Sequence, residues 1–194
     1  MSLRMSENIE KFLESGEQTQ ITPEIQKIAD QIEGEGVVFI FNLLEWVHKN
    51  IAMKRSDFPD GLEFNDLFCQ RTATQIIGDG YGAGCTDFAL AFIPIARAKG
   101  IPTKYVECIN KSYFSGDLQR VAGHVFAECF IQGKWRTADP TAGNLNIGKN
   151  YSKYVIFEKG LDSWDLGIKN LQTMREKFVP FAEEYNKKIK QNSK

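Results

Sequence analysis

Gly78-Asp79-Gly80-Tyr81-Gly82-Ala83-Gly84-Cys85 runs directly into Thr86-Asp87-Phe88-Ala89-Leu90-Ala91-Phe92-Ile93-Pro94-Ile95-Ala96, and this passage decides the fold. Four glycines in seven residues predict a loop that bends sharply or brings its backbone close to a neighbour. The segment that follows, residues 85–99, is apolar on nearly every side, so it is expected as a central, buried helix. Gly100 just past its end and Pro102 soon after make a helix-stop signal. Pro94 inside it should kink it or mark an irregular turn.

Upstream of this helix the pattern is helical. Ile9, Phe12 and Leu13 form a short stripe. Thr22-Pro23-Glu24 then supplies an N-cap, a proline at the first helical position and an early acid, with Ile25, Ile28, Ala29 and Ile32 following at helical spacing. Gly34 and Gly36 break that segment, and residues 37–51 read as a largely buried helix. A polar stretch at 55–61 and a weakly patterned, partly helical one at 62–77 lead to the glycines.

Downstream the period changes to two. Residues 103–109, 123–131 and 134–138 read as strands, the last two joined by the turn Gln132-Gly133, and 151–157 is a further strand candidate. Residues 170–189 carry Leu171, Met174, Phe178, Phe181, Ala182, Tyr185 and Ile189 on one helical face, with a kink expected near Pro180. Helices, then a mostly antiparallel sheet, then a helix make an α+β fold in which the helix from Cys85 packs on the sheet. A single domain over 1–194 is expected, with N-terminal helices at 1–36, a core at 37–160 and a C-terminal helix and tail at 161–194.

Composition narrows the function classes. The chain is 42% hydrophobic and 25% charged, enough to build one substantial core. A formal net charge of -1 supplies no footprint for nucleic acid. The apolar run at residues 37–41 is far too short to span a bilayer, and no leader-like apolar segment stands at the N-terminus. The lysine-rich residues 186–194 read as a solvated end. Four cysteines without a Cys-x-x-Cys pair fit reduced thiols in a cytoplasmic protein.

Cys85 stands at the predicted first turn of the buried helix. Unpaired backbone N–H groups and partial positive charge at such a turn favour a thiolate, the nucleophilic form, and suit an oxyanion on an attacked carbonyl. Taken alone, a free cysteine is more often a small buried hydrophobe. His124 alters that balance. The chain has two histidines, and this one begins a strand. If Gln132-Gly133 form a two-residue turn, Ile131 faces Lys134, and counting back pairs Asp139 with Phe126, diagonal to His124 on the same face. A carboxylate there can accept a hydrogen bond from the imidazole and orient it. A slip of one residue would put Asp139 on the opposite face.

Three motifs now stand in order. Gly84-Cys85-Thr86-Asp87-Phe88-Ala89, with Ala98-Lys99-Gly100-Ile101-Pro102 entering a strand, resembles the nucleophile segment of the transglutaminase-like superfamily. Gly123-His124-Val125-Phe126-Ala127-Glu128 is similar to its histidine strand, and Trp135-Arg136-Thr137-Ala138-Asp139-Pro140-Thr141 to its aspartate strand. The resemblance covers roughly residues 46–141. It implies a papain-like, transglutaminase-core fold, with Cys85 as nucleophile, His124 as general base and acid, and Asp139 as orienter. Gly84 stands where animal transglutaminases have glutamine, which moves the chain toward the microbial group resembling cysteine peptidases and amidases.

The expectation is therefore a cysteine-dependent acyl-transfer enzyme that hydrolyses an amide or peptide substrate, with no cofactor and no metal. An amine-accepting acyltransferase, and a non-catalytic interaction module keeping the scaffold, are the alternatives. The Cys85 amide would hold the oxyanion, with Tyr81 and Gly84 of the glycine loop as candidates for the remaining oxyanion or substrate contacts. Of the other polar residues, His48 reads as a structural cation near a helix end. Glu128 reads as an exposed strand charge that could touch substrate, and Cys108 and Cys129 as sheet packing. Residues 154–168 read as packing over the sheet. Ligand spacing for a zinc site is missing, and the residues leave oligomeric state and substrate identity open.

Overall fold

The computed structural model describes residues 8–116, 122–146 and 151–192. The stripe at Ile9 to Leu13 makes only a single 3₁₀ turn, Glu10–Leu13. Helix α1, Pro23–Gln31, starts as its residues dictate: the Thr22 hydroxyl accepts from the Ile25 amide at 3.3 Å and Pro23 takes the first helical position. Helix α2 spans Gly36–Asn50 and buries Phe39, Ile40, Leu43, Leu44 and Val47. Strand β1 (Ala52–Met53), helix α3 (Phe64–Leu67) and helix α4 (Ala73–Asp79) occupy the weakly patterned stretch.

The glycine-rich passage is not one loop. Helix α4 runs into it and ends at Gly80, whose left-handed backbone (φ 69°) returns its amide to the Ile76 carbonyl, a conformation that favours glycine. Strand β2, Tyr81–Gly82, then pairs in parallel with β1. At Gly82 an added Cβ would lie 2.8 Å from the Phe88 ring, so this glycine is required by close packing against the next helix. Two-residue strands lack the length to show a period, which is why the sequence reads as loop.

Helix α5, Cys85–Ala98, is buried at every position from Thr86 to Arg97. It touches α1, α2 and α4 on one side and the sheet on the other. Burial all round explains its uniformly apolar sequence. Full burial of a side chain such as Phe92 or Leu90 is worth about 1.5–3 kcal/mol relative to leaving it in water. The helix continues through Pro94 instead of breaking there, although the Leu90 carbonyl loses its i+4 donor.

Strands β3 (Thr103–Asn110), β4 (Gly123–Ile131), β5 (Lys134–Asp139), β6 (Asn144–Asn146) and β7 (Tyr154–Gly160) form one antiparallel sheet in the order β6-β5-β4-β3-β7. The β4–β5 turn follows its residues: Gln132 and Gly133 both have positive φ (52° and 75°), the signature of a type I′ hairpin turn, and Ile131 faces Lys134. Pairing continues in that register to Ala127 opposite Ala138, so Asp139 comes opposite Phe126. Strand β7 lies three residues later than the pattern at 151–157 suggests, and β6 carries no sequence signal long enough to read.

Helix α6, Leu171–Asn192, is continuous through Pro180 and packs an aromatic group, Phe178, Phe181 and Tyr185, against Phe114 and Phe157. The stretch between β7 and α6 does more than lie over the sheet. Asp162 and Ser163 are fully buried and tie to the N-terminal segment, Asp162 accepting from the Gln18 amide at 2.8 Å and the Ser163 hydroxyl donating to Gln18 Oε1. Buried Arg97 of α5 joins the same network through Thr19 and the Leu161 carbonyl. The main core draws on residues from Ile25 to Ala182. Among the described residues no helix is long and apolar enough to cross a membrane.

Candidate active site

Cys85 is the first residue of α5 and is the one partly exposed cysteine; Cys69, Cys108 and Cys129 are buried. The first intrahelical bonds run from the Asp87 and Phe88 amides to the Gly84 carbonyl at 3.1 and 3.4 Å. The Cys85 and Thr86 amides precede them, and at a helix start such amides have no intrahelical acceptor and can face an anion. Gly84 itself is extended (φ -175°) and an added Cβ would meet only the Phe64 ring at 3.7 Å, so neither backbone nor space demands glycine there.

A buried carboxylate two residues into the helix holds the approach to Cys85. Asp87 Oδ2 accepts from the Ala83 amide at 2.8 Å and pairs with Arg71 at 2.6 Å, while Arg71 also reaches Asp79 at 2.9 Å. Burial raises the Asp87 pKa, against the pull of Arg71 and the Ala83 amide. Arg71 lies over the Tyr81 ring at 4.5 Å, with Lys54 at 5.0 Å. Tyr81 is thus packed in a satellite cluster with Phe58, Leu67 and Ala83 and does not line the cleft at Cys85.

His124, second residue of β4, bonds through Nε2 to Asp139 Oδ2 at 2.9 Å. The Cys85 thiol stands close enough to the same imidazole to act on its titration. Burial opposes the charged ring, but the hydrogen bonds to Asp139 and Cys85, with the negative charge of both, push the His124 pKa up to about 10. Tyr154 stacks on the ring (centroids 5.4 Å apart, 24° between planes) and Phe126 meets it edge-on at 4.6 Å, which fixes its plane. Asp139 is braced in turn: Oδ1 accepts from the Thr141 and Ala142 amides at 3.1 Å each.

Three residues to which the sequence reading gave no part in the site matter to this geometry. His48 of α2 donates from Nε2 to the Pro140 carbonyl at 2.9 Å and packs against Gly143, so it clamps the turn carrying Asp139. Tyr154, which stacks on the imidazole, is the second. Glu107 of β3 is the third. It is 1% exposed, and its pKa is raised to about 8 by burial, against the Tyr105 hydroxyl and the charge of His124. Glu107, Cys85, Thr86 and Gly123 line a cleft of about 170 Å³ whose remaining walls are Phe64, Phe68, Leu171 and Met174.

Glu128 requires a correction. It is buried, not exposed, with its carboxylate accepting from Lys159 Nζ at 2.6 Å and the Tyr151 hydroxyl at 2.9 Å. The side chains of Lys159, from β7 of the same sheet, and Tyr151 reach over to Glu128, so it is an internal ion-pair partner. Cys129 packs in the main core and Cys108 in a smaller cluster with Val106 and Phe126, as their strand positions suggest. Among the described residues no group of three or more His, Cys, Asp or Glu is gathered to hold a metal ion.

Residues 25–140 match the family model described as the transglutaminase-like superfamily. No curated protein matches the sequence. Among solved structures, a protein of Cytophaga hutchinsonii provisionally assigned as a cysteine protease is similar at 22% identity and TM-score 0.62, over 85% of this chain and 51% of that one. The chain thus spans about half the length of that relative. LapG of Legionella pneumophila is similar at 13% identity and TM-score 0.50, over 82% of this chain and 91% of the other. Its EGTA-treated form is similar at 14% identity and the same TM-score. At these identities the structural likeness speaks to the fold.

Proposed function

Because the chain belongs to the transglutaminase-like superfamily, we propose that it is a cysteine-dependent enzyme that cleaves an amide or peptide bond, with Cys85 as nucleophile, His124 as proton carrier and Asp139 as its orienter. One observation carries this reading: an imidazole held by a carboxylate at Nε2 stands near enough to the thiol at the mouth of a buried helix for that thiol to favour its charged form. Cys85 attacks the carbonyl carbon as a thiolate paired with imidazolium. The developing oxyanion sits against the Cys85 and Thr86 amides, where donors fixed in advance stabilise it most. His124 gives its proton to the departing amine as the C–N bond breaks, leaving a thioester. Water, losing a proton to His124, then attacks the thioester and frees the acid and the thiol.

The raised pKa of His124 sets a pH dependence. A group whose folded pKa lies above its ordinary value of 6.5 contributes stability in full below that value and loses it as pH rises through about 10. The same loss removes the acid that the leaving amine needs. We expect kcat/KM to hold through neutral pH and to fall as pH passes about 10, with Glu107→Gln removing any inflection near 8. An alkaline fall centred near 6.5 would contradict the ion-pair assignment.

Product mass tests the reaction type. Incubation with a peptide amide is expected to give the free acid, and added primary amine should leave that product unchanged. Accumulation of the amine adduct would make the enzyme a transferase instead.

A further inference from the structure

The cleft beside Cys85 has an uneven chemistry. Phe64, Phe68, Leu171 and Met174 make its walls apolar, while a carboxyl group, Glu107, lies at its floor. Glu107 is 1% exposed, and its Oε2 accepts from the Tyr105 hydroxyl at 2.8 Å. Gly123 keeps the passage open. An added Cβ there would lie 2.9 Å from the Cys108 carbonyl oxygen and 3.5 Å from Glu107 Oε1.

Size sets what the cleft can hold. At about 170 Å³ it is well below the roughly 300–1,000 Å³ of a small-molecule pocket, and suits a single side chain. The thiol and Glu107 bound the same space, so a residue whose carbonyl sits at sulfur can extend its side chain toward the carboxyl group. An aliphatic stem would lie along Leu171, Met174 and the two phenylalanines, as long cationic side chains lie along apolar surface elsewhere. A terminal ammonium would meet the Glu107 carboxyl group.

We propose, on the reading of Cys85 as nucleophile, that this cleft receives the side chain of the acyl-donating residue and selects a long aliphatic chain ending in a cation, as in lysine, with Glu107 as the specificity-determining group. A neutral chain of equal length brings Glu107 no counter-charge, and an acidic one is repelled.

Three peptidyl chloromethyl ketones that differ only in the residue next to the electrophile, lysine, norleucine or glutamate, test this on the intact protein. The measured quantity is the rate of Cys85 alkylation by peptide mass mapping, with iodoacetamide as a small probe that needs no pocket. Lysine is expected to exceed norleucine by at least about tenfold and glutamate by more. In Glu107→Gln the lysine-to-norleucine ratio should fall close to one; a ratio, unlike a rate, is insensitive to any change in general reactivity. Norleucine equal to or faster than lysine in the wild type overturns the proposal without any variant, and leaves the catalytic reading standing if iodoacetamide still labels Cys85. A lysine preference that survives in Glu107→Gln overturns the role of Glu107. Iodoacetamide labelling another cysteine first removes both readings together.

Discussion

Replacing Cys85 with alanine is expected to abolish amide cleavage, a loss on the order of 10⁴- to 10⁶-fold in kcat. No other thiol can take its place. Cys69, Cys108 and Cys129 are each fully buried, and burial pushes their thiols up, Cys129 to about 12. They are therefore neither accessible nor ionised at neutral pH. The substitution should leave the fold intact, since Cys85 is half-buried at a helix start and alanine is well suited to a helix. Circular dichroism and thermal unfolding of the variant should match the parent while cleavage of any peptide amide that the parent turns over is lost. Retained turnover in a correctly folded Cys85→Ala protein would remove the nucleophile assignment.

The second large effect is expected at Asp139. Asp139→Asn keeps an oxygen for the Thr141 and Ala142 amides, so the turn survives, but it replaces the charged acceptor of His124 Nε2 with an amide. The imidazole then loses both the charge that favours its protonated form and the partner that fixes its tautomer. In triads of this kind the corresponding change costs on the order of 10²- to 10⁴-fold in kcat. The His124 titration should also move down from about 10. A change of less than about tenfold in kcat would show that Tyr154 and Phe126 alone are enough to hold the ring.

Local chemistry made much of this legible in the sequence. Thr22-Pro23 starts α1, the Gln132-Gly133 turn sets the β4–β5 register, and that register places Asp139 diagonal to His124. In each case a few neighbouring residues determine the outcome. The misreadings share a different cause. Glu128 looks exposed until β7 and Tyr151, about twenty to thirty residues later, cover it. Tyr81 belongs to the glycine stretch but is drawn aside by Arg71 and Lys54, ten and twenty-seven residues earlier. Leu171 and Met174 show only an amphipathic helix, and nothing local says that this helix ends at the thiol. His48 gave the signal of a helix-end cation, while its partner is the carbonyl beside Asp139. What could not be read is what depends on long-range packing.

Coupling between sulfur and imidazole is the physical core of the proposed chemistry, and thiol alkylation measures it directly. At pH 7 iodoacetamide should modify Cys85 before any other cysteine, and the rate should drop at least about tenfold in His124→Ala, because the thiolate loses its imidazolium partner. First labelling of Cys69, Cys108 or Cys129, or a Cys85 rate that is the same with and without His124, would contradict it.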